Sequence, residues 1–221
     1  MKISMVIPAK GSSERLKNKN LLKINEKSLV YRACEKCLKS NLIDEVYVDT
    51  ESQTIIKDIE SLFEKGLKLI KRPKSLANNN TSGNDLIVFE RSQISETDLM
   101  LHTYSTSPLI TTETIDATLS TFLNNFDDYD SFFSANYLQE YIWCKTKPVN
   151  FTLEPLPNSV DLPKDYYVET HGLYGIKSKT LDTCKQRLGG RVLPVLIPKK
   201  ESLDINYRHD FELLKTLWRE N

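Results

Sequence analysis

The chain has 221 residues, 39% hydrophobic and 27% charged, with Lys+Arg 30 balanced by Asp+Glu 30. This describes one soluble globular domain, residues 1–221, with room for an insertion. The neutral balance excludes a global field that would draw nucleic acid or an anionic membrane, and no apolar run approaches the ~20 residues of a membrane span.

Met1-Lys2 leads into a strand rather than a signal peptide, so a cytoplasmic protein with reduced cysteines is expected. The first apolar run, Ile3 to Ile7, predicts a strand that ends in Pro8-Ala9-Lys10-Gly11-Ser12-Ser13-Glu14-Arg15-Leu16-Lys17-Asn18-Lys19-Asn20. Strand, small-residue loop, then helix presents backbone N–H groups to an anion, and Lys10, Arg15 and Lys19 supply matching charge. This points to a polyphosphate site; Lys17 reads as solvent-facing. Leu21 to Ile24 is extended, Asn25-Glu26-Lys27 a turn, and Ser28 caps a helix to about Ser40. Within that helix Cys34 and Cys37 fall with Val30, Ala33 and Leu38 on a buried face, and no second ligand pair follows to make a zinc site.

Asp44 to Val48 is the second strand, and Ser52 or Thr54 starts a helix spanning Ile55 to Lys65. Leu67 to Lys71 is a third strand, followed by a polar loop, Arg72 to Gly83, of the kind that carries function. Ser82 or Asn84 caps a helix through Arg91. Leu99 to Thr103 is a buried strand leading into Tyr104-Ser105-Thr106-Ser107-Pro108-Leu109, and Thr112 starts another helix. Ser131 to Ala135 is the next strand. From 136 to 168, aromatics and prolines break any helical period, which predicts an insertion that covers substrate or makes a dimer contact. Gly172 to Ile176 is a strand, Lys179 to Arg187 a helix, Val192 to Ile197 a strand, and Tyr207 to Arg219 a final helix. Alternation at this interval means an α/β fold, a mostly parallel sheet with helices on both faces. Ligands bind beyond the carboxyl ends of such strands, where the polar clusters fall.

Six of these clusters, in order, resemble the CMP-sugar synthetases, the acylneuraminate cytidylyltransferase family. They are Ile7 to Glu14 with Lys19-Asn20; Val48-Asp49-Thr50-Glu51-Ser52; Arg72 to Ala77 with Ser82-Gly83-Asn84-Asp85; Tyr104 to Leu109; Glu169 to Gly175; and Asp204-Ile205-Asn206 through Asp210. The resemblance implies a Rossmann-like nucleotide-diphospho-sugar transferase fold with a small inserted dimerisation or substrate region. It also implies transfer of CMP from CTP to an acidic 2-keto sugar, with Mg²⁺ as cofactor and a homodimer as the working form. Lys10, Arg15 and Lys19 then hold the triphosphate, with Ala9, Gly11, Ser12, Ser13, Asn20 and Ser82 completing the nucleotide side. Asp204, with Asn206, would carry the metal, since Mg²⁺ takes hard oxygen and one or two carboxylates; Asp204 could instead cap the last helix. Tyr104, Ser105, Thr106, Ser107, Lys145, Glu169, His171 and Tyr174 border the sugar, His171 being equally a structural hydrogen-bonding residue.

The chain departs from the family pattern at four places. Lys10 stands for an Arg, losing a bidentate fork but keeping the charge. Ser12 stands for a Gly, Asn206 for a second Asp, and Tyr104 for a Gln tied to sugar recognition. The tyrosine inclines the reading toward the pseudaminic acid branch. Two alternatives stand beside it: a synthetase for the eight-carbon acid Kdo, and a catalytically weakened homologue that binds nucleotide.

Overall fold

The computed structural model describes residues 1–219. The opening apolar run forms β1 (Ile3–Pro8), buried along almost its whole length. Ile3, Met5 and Ile7 pack into one helical layer and Val6 into another, as a strand covered on both faces must. A loop containing a single 3₁₀ turn, Lys19–Leu21, follows. It runs into a small hairpin, β2 (Lys23–Ile24) and β3 (Lys27–Ser28), and then α1 (Leu29–Leu38), whose first N–H groups are capped by Ser28. Next come β4 (Glu45–Thr50), α2 (Gln53–Asp58), α3 (Glu60–Phe63), β5 (Leu67–Lys71) and α4 (Gly83–Gln93). Ser82 and Asp85 close a reciprocal capping box at the start of α4. The chain continues through β6 (Leu99–His102), α5 (Thr112–Asn124) and β7 (Ser131–Tyr137) to a hairpin, β8 (Trp143–Cys144) and β9 (Lys147–Pro148). It ends with β10 (Tyr167–Lys177), α6 (Ser178–Cys184), β11 (Val192–Leu196) and α7 (Arg208–Arg219).

Seven strands form one sheet in the order β11-β7-β10-β6-β1-β4-β5, and only β10 runs antiparallel to its neighbours. Val30, Ala33, Cys34 and Cys37 of α1, Ile55, Leu62 and the α5 residues Ile115, Leu119 and Phe122 cover one face. Ile87 of α4 and Leu181 of α6 cover the other, against Val6, Met100 and Ile176. Cys34 and Cys37 are core side chains, and burial pushes both thiols up, that of Cys37 to about 12. Phe211 and Leu214 of α7 fold back over Leu16, Ile24 and Leu29, and so fix the opening loop against the body.

Two local expectations are corrected. The helix expected over Ile55 to Lys65 breaks at Ile59 (φ −102°, ψ 9°), which is fully buried and closes α2 with a different turn. The helix expected to reach Arg187 stops at Cys184, because Lys185 takes the left-handed conformation (φ 55°) and ends it. As expected, a short extended piece and a turn separate the opening loop from α1, and the buried Ser28 caps that helix by accepting the Tyr31 N–H.

Candidate active site

A cleft of about 440 Å³ opens at the carboxyl ends of β1 and β6. Lys10, Ser12, Ser13, Arg15, Lys19 and Asn20 form one wall. Arg72, Asn78, Asn79 and Thr81 form the opposite wall, and Tyr104, Ser105 and Thr106 the end. The opening loop is held from several sides. Gly11 donates its N–H to Glu51 Oε1 at 2.8 Å, and Asn20 Nδ2 donates to the Lys10 carbonyl at 2.7 Å. Ser105 Oγ donates to Asn20 Oδ1 at 2.5 Å, which ties this loop to the one after β6. Asn79 bridges the rims: it accepts from Lys10 Nζ and donates to Glu14. Arg15 lies over the Tyr207 ring, 5.6 Å from its centroid.

Burial lowers the Lys19 ammonium pKa, opposed by Asp204 and Asp210 and reinforced by Arg15 and Lys10; the three cations line the cleft, and Asp204 lies outside its lining. Asp204 Oδ2 accepts from Asn206 Nδ2 at 2.6 Å, and the Ile205 N–H between them donates to the Thr106 carbonyl at 2.8 Å. Asp210, rather than Asp204, closes the turn before α7, since its Oδ2 accepts from the N–H groups of Asn206 (2.8 Å) and Tyr207 (2.7 Å). Among the described residues, no group of three or more His, Cys, Asp or Glu could hold a metal ion.

A buried ionic network underlies the cleft. Arg72 Nε donates to Asp49 Oδ2 at 2.9 Å and its Nη2 to the same oxygen at 2.6 Å. His102 Nε2 meets Glu90 Oε2 at 2.5 Å, and all four side chains are buried. Burial raises the Asp49 carboxyl pKa, against the pull of Arg72. Burial pushes Glu90 up as well, but His102 and the Asp49 carboxyl outweigh it and hold Glu90 low. Asp49 Oδ1 and Glu90 Oε1 are buried with no hydrogen-bond partner, and the two carboxyls act on each other in opposite senses, Glu90 raising Asp49 and Asp49 lowering Glu90. Such a network is costly unless complete, and here it fixes the Arg72 guanidinium at the cleft wall.

The sugar-side candidates form a second cluster, centred on a residue the sequence reading passed over. Arg187 Nη1 donates to Tyr104 Oη at 3.1 Å, and its guanidinium carbon lies 3.8 Å from the Tyr174 ring centroid. Its Nη2 is 3.6 Å from Glu169 Oε2. Tyr174 Oη donates to Glu169 Oε2 at 2.8 Å and meets His171 Nδ1 at 2.8 Å. Burial raises the Tyr104 and Tyr174 hydroxyl pKa values. Burial opposes the charge on Arg187, but the two tyrosines outweigh it and hold the guanidinium up.

Of the predicted residues, Lys10, Ser12, Ser13, Arg15, Lys19, Asn20, Tyr104, Ser105 and Thr106 meet in the cleft. Others do not. The Ala9 N–H continues the ladder to the Asp49 carbonyl, and the Gly11 N–H is taken by Glu51, so neither is a free anion donor in this form. Ser82 spends its hydroxyl as the α4 cap. Ser107 is buried and donates to the His171 carbonyl at 3.1 Å, supporting the wall from behind. Asn206 turns an amide N–H, not its oxygen, toward Asp204. Lys145 sits on the exposed β8–β9 turn (φ 56°), outside the cleft of its own chain.

A larger cavity, about 650 Å³, lies on the other side of the loop after β6, lined by Arg32, Lys36, Pro108, Ile110 and Trp218. Two of its cations are already committed. Lys36 Nζ donates to the carbonyls of Ser107, Pro108 and Ile110 at 3.1, 3.2 and 2.9 Å, and Arg32 lies over the Trp218 ring at 4.5 Å. Burial lowers Lys36 to about 8. This cavity braces the cleft wall and carries none of the predicted chemistry.

The site thus combines a mostly parallel sheet, a cationic small-residue loop at its carboxyl edge and, in Asp204, a carboxylate that acts on Lys19 of that loop. The family model described as Cytidylyltransferase matches residues 4–176, and the chain belongs to that family. It is 34% identical over 125 residues to a 3-deoxy-manno-octulosonate cytidylyltransferase of Chloroherpeton thalassium, covering 57% of this chain and 48% of that one. It is 28% identical to an N-acylneuraminate cytidylyltransferase of Escherichia coli (98% and 52% covered) and to a pseudaminic acid cytidylyltransferase of Campylobacter jejuni (57% and 55%). The matches span about half the length of each of these relatives. The fold is that of a CMP:2-keto-3-deoxy-manno-octonic acid synthetase solved with CTP, at TM-score 0.70 and 18% identity over 100% of this chain and 99% of that one. No helix among the described residues is long and apolar enough to cross a membrane.

Proposed function

We propose that this chain transfers CMP from CTP to an acidic 2-keto sugar, a nonulosonate such as sialic, pseudaminic or legionaminic acid, for surface-glycan synthesis in the cytoplasm. The observation that carries this reading is a single cleft with three cations, Lys10, Arg15 and Lys19, along one wall and Tyr104 at its end, leading to the Arg187 cluster. A sugar hydroxyl attacks the α-phosphorus as the bond to pyrophosphate breaks. The protein's part is to align the two and to offset the charge that leaves. A triphosphate entering between the rims takes Lys10 from Asn79. The Asn20–Ser105 bond keeps the nucleotide and sugar walls in register.

The Asp204 carboxylate suits Mg²⁺, which keeps several waters and takes one or two carboxylates with the substrate phosphates. Asp204 would hold it and Asn206 would orient Asp204. The ion, when bound, neutralises charge on the phosphate oxygens. A second reading, activation of 3-deoxy-manno-octulosonate, is favoured by the 34% identical relative named for that substrate.

The segment between β7 and β10 supports a homodimer. It is internally braced by Tyr141 Oη donating to the Pro157 carbonyl at 2.7 Å and by Asn150 bonding to both Ile142 and Glu140. Yet it exposes Tyr141, Trp143, Val149, Leu153, Leu156 and Val160. An ordered arm with that much bare apolar surface is an interface. In a dimer, Lys145 at its tip would reach the sugar of the partner's cleft.

Pyrophosphate release with CTP and a panel of keto sugar acids tests the proposal. Turnover with at least one acid is expected, and its absence with CTP still bound would leave only a nucleotide-binding protein. Asp204→Ala should lose at least about 100-fold in kcat while retaining CTP binding; wild-type turnover in that variant would refute the metal role.

A further inference from the structure

Arg187 lies beyond the stretch that the family model matches, which ends at residue 176, whereas its partners Tyr104, Glu169 and Tyr174 lie within it. It is nonetheless built into the end of the cleft. The Arg187 N–H donates to Asn84 Oδ1 at 2.9 Å, which anchors the loop after α6 to the first turn of α4. The guanidinium then lies over the Tyr174 ring and donates to Tyr104, itself a lining residue. An arginine has five N–H donors in a fixed fork. One is used on Tyr104, and the Arg187 side chain remains 25% exposed, so further donors face the open end. Beside it Glu169, 39% exposed, uses Oε2 on Tyr174 and leaves Oε1 open.

Charge decides what this pair can bind. Arg187 is neutralised by Glu169 at 3.6 Å, so a bare carboxylate approaching it would meet a carboxylate as well. A neutral donor–acceptor couple complements a group that both accepts and donates, which is a hydroxyl or an acylamino group.

We infer that Arg187 and Glu169 form the specificity element of the cleft, reading a polar hydroxyl or acylamino substituent on the sugar rather than its carboxylate. The inference rests on the proposed sugar-acid reaction and deepens it. Tyr174 is the platform under Arg187, and Tyr104 is the link that couples Arg187 to the nucleotide-side loop.

The experiment compares wild type with Arg187→Ala and Arg187→Lys, with thermal unfolding run alongside to establish that each variant folds. Arg187→Ala should raise the sugar KM by about tenfold or more, since a hydrogen bond to a charged group is lost. The CTP KM should stay within about twofold, and Arg187→Lys should recover only part of the loss because it lacks the planar fork. A sugar analogue lacking the recognised substituent should lose at least about tenfold in kcat/KM with wild type and nothing further with Arg187→Ala. An unchanged sugar KM, an equal rise in CTP KM, or the same analogue penalty in both proteins overturns the inference. If wild type turns over no keto sugar acid, the activity reading falls by itself. Calorimetric titration of the same acids into CTP-loaded protein then reads the inference, which requires weaker binding on loss of Arg187. Unchanged affinity, or no binding of any acid, overturns it.

Discussion

Gly11 sits where the opening loop passes closest to the start of α2, and replacing it by alanine tests whether that loop's position governs nucleotide binding. A Cβ placed there lies 2.7 Å from Ser52 Cβ, 2.9 Å from Ser52 Oγ and 3.0 Å from Glu51 Oε1. Ordinary contact begins at 3.4 Å, so the loop must retreat by about 0.7 Å. Ser52 cannot easily yield, because its hydroxyl caps α2 by accepting the Ile55 N–H at 3.4 Å. The retreat stretches the Gly11–Glu51 hydrogen bond and carries Lys10 and Ser12 with it. Misplacing binding groups by ~1 Å costs up to ~100-fold, so we expect kcat/KM for CTP to fall roughly 10- to 100-fold. The loop is partly exposed and can relax, so the accompanying loss of stability should be only about 1 kcal/mol. Pyrophosphate release at varied CTP measures the first, and denaturant unfolding the second. The geometry also predicts which second change restores function. Ser52→Gly removes the clashing Cβ and should rescue Gly11→Ala, whereas Ser52→Ala keeps it and should not. Wild-type CTP kinetics in Gly11→Ala, or equal rescue by both partners, would refute the reasoning.

Two further outcomes follow from charge and exposure. Because burial raises the Asp49 carboxyl, the folded chain binds more protons there than the unfolded chain does above the ordinary aspartate value of about 3.9. Its contribution to stability is therefore present in acid and is lost as pH rises through the raised value. Asp49→Asn, which keeps an oxygen for Arg72 but cannot ionise, should flatten that part of the stability–pH curve; an unaltered slope counts against the raised Asp49 carboxyl. In the arm, Trp143→Lys with Leu156→Lys should shift the sedimentation coefficient toward a single chain and raise the sugar KM at least about tenfold by removing the partner's Lys145. A dimer of undiminished strength would place the interface elsewhere.

Much of the fold was legible because the local signals were strong and did not compete. The apolar run Ile3 to Ile7 breaks abruptly into polar residues, and β1 ends there. Ser28, and Ser82 with Asp85, have the chemistry of caps and act as caps. The misreadings occur where tertiary contacts decide. Ile59 fits the helical period, and the chain breaks there only because packing against the sheet requires a different turn. The antiparallel direction of β10 follows from how the long arm returns, which no local pattern records.

The site divides along the same line. Lys10, Arg15, Lys19 and Asn20 were legible because they are contiguous, and one short loop delivers them together. Their restraints were not, since Glu51 and Asn79 lie in other loops and a glutamate or an asparagine there carries no mark of its partner. Arg187 shows the sharpest case. Read as the last residue of a regular helix, it belongs on a solvated face. The signal that would have redirected it is modest: Gly189-Gly190 just beyond, with left-handed backbone at Gly190 as well as at Lys185. A helix stopped at Cys184 leaves Arg187 free to turn back, bond Asn84 and lie across Tyr174. The residue placed to choose the sugar therefore depends on one backbone conformation at Lys185, two positions away. A substitution that lengthens α6 would alter substrate choice while leaving every predicted phosphate-binding side chain in place.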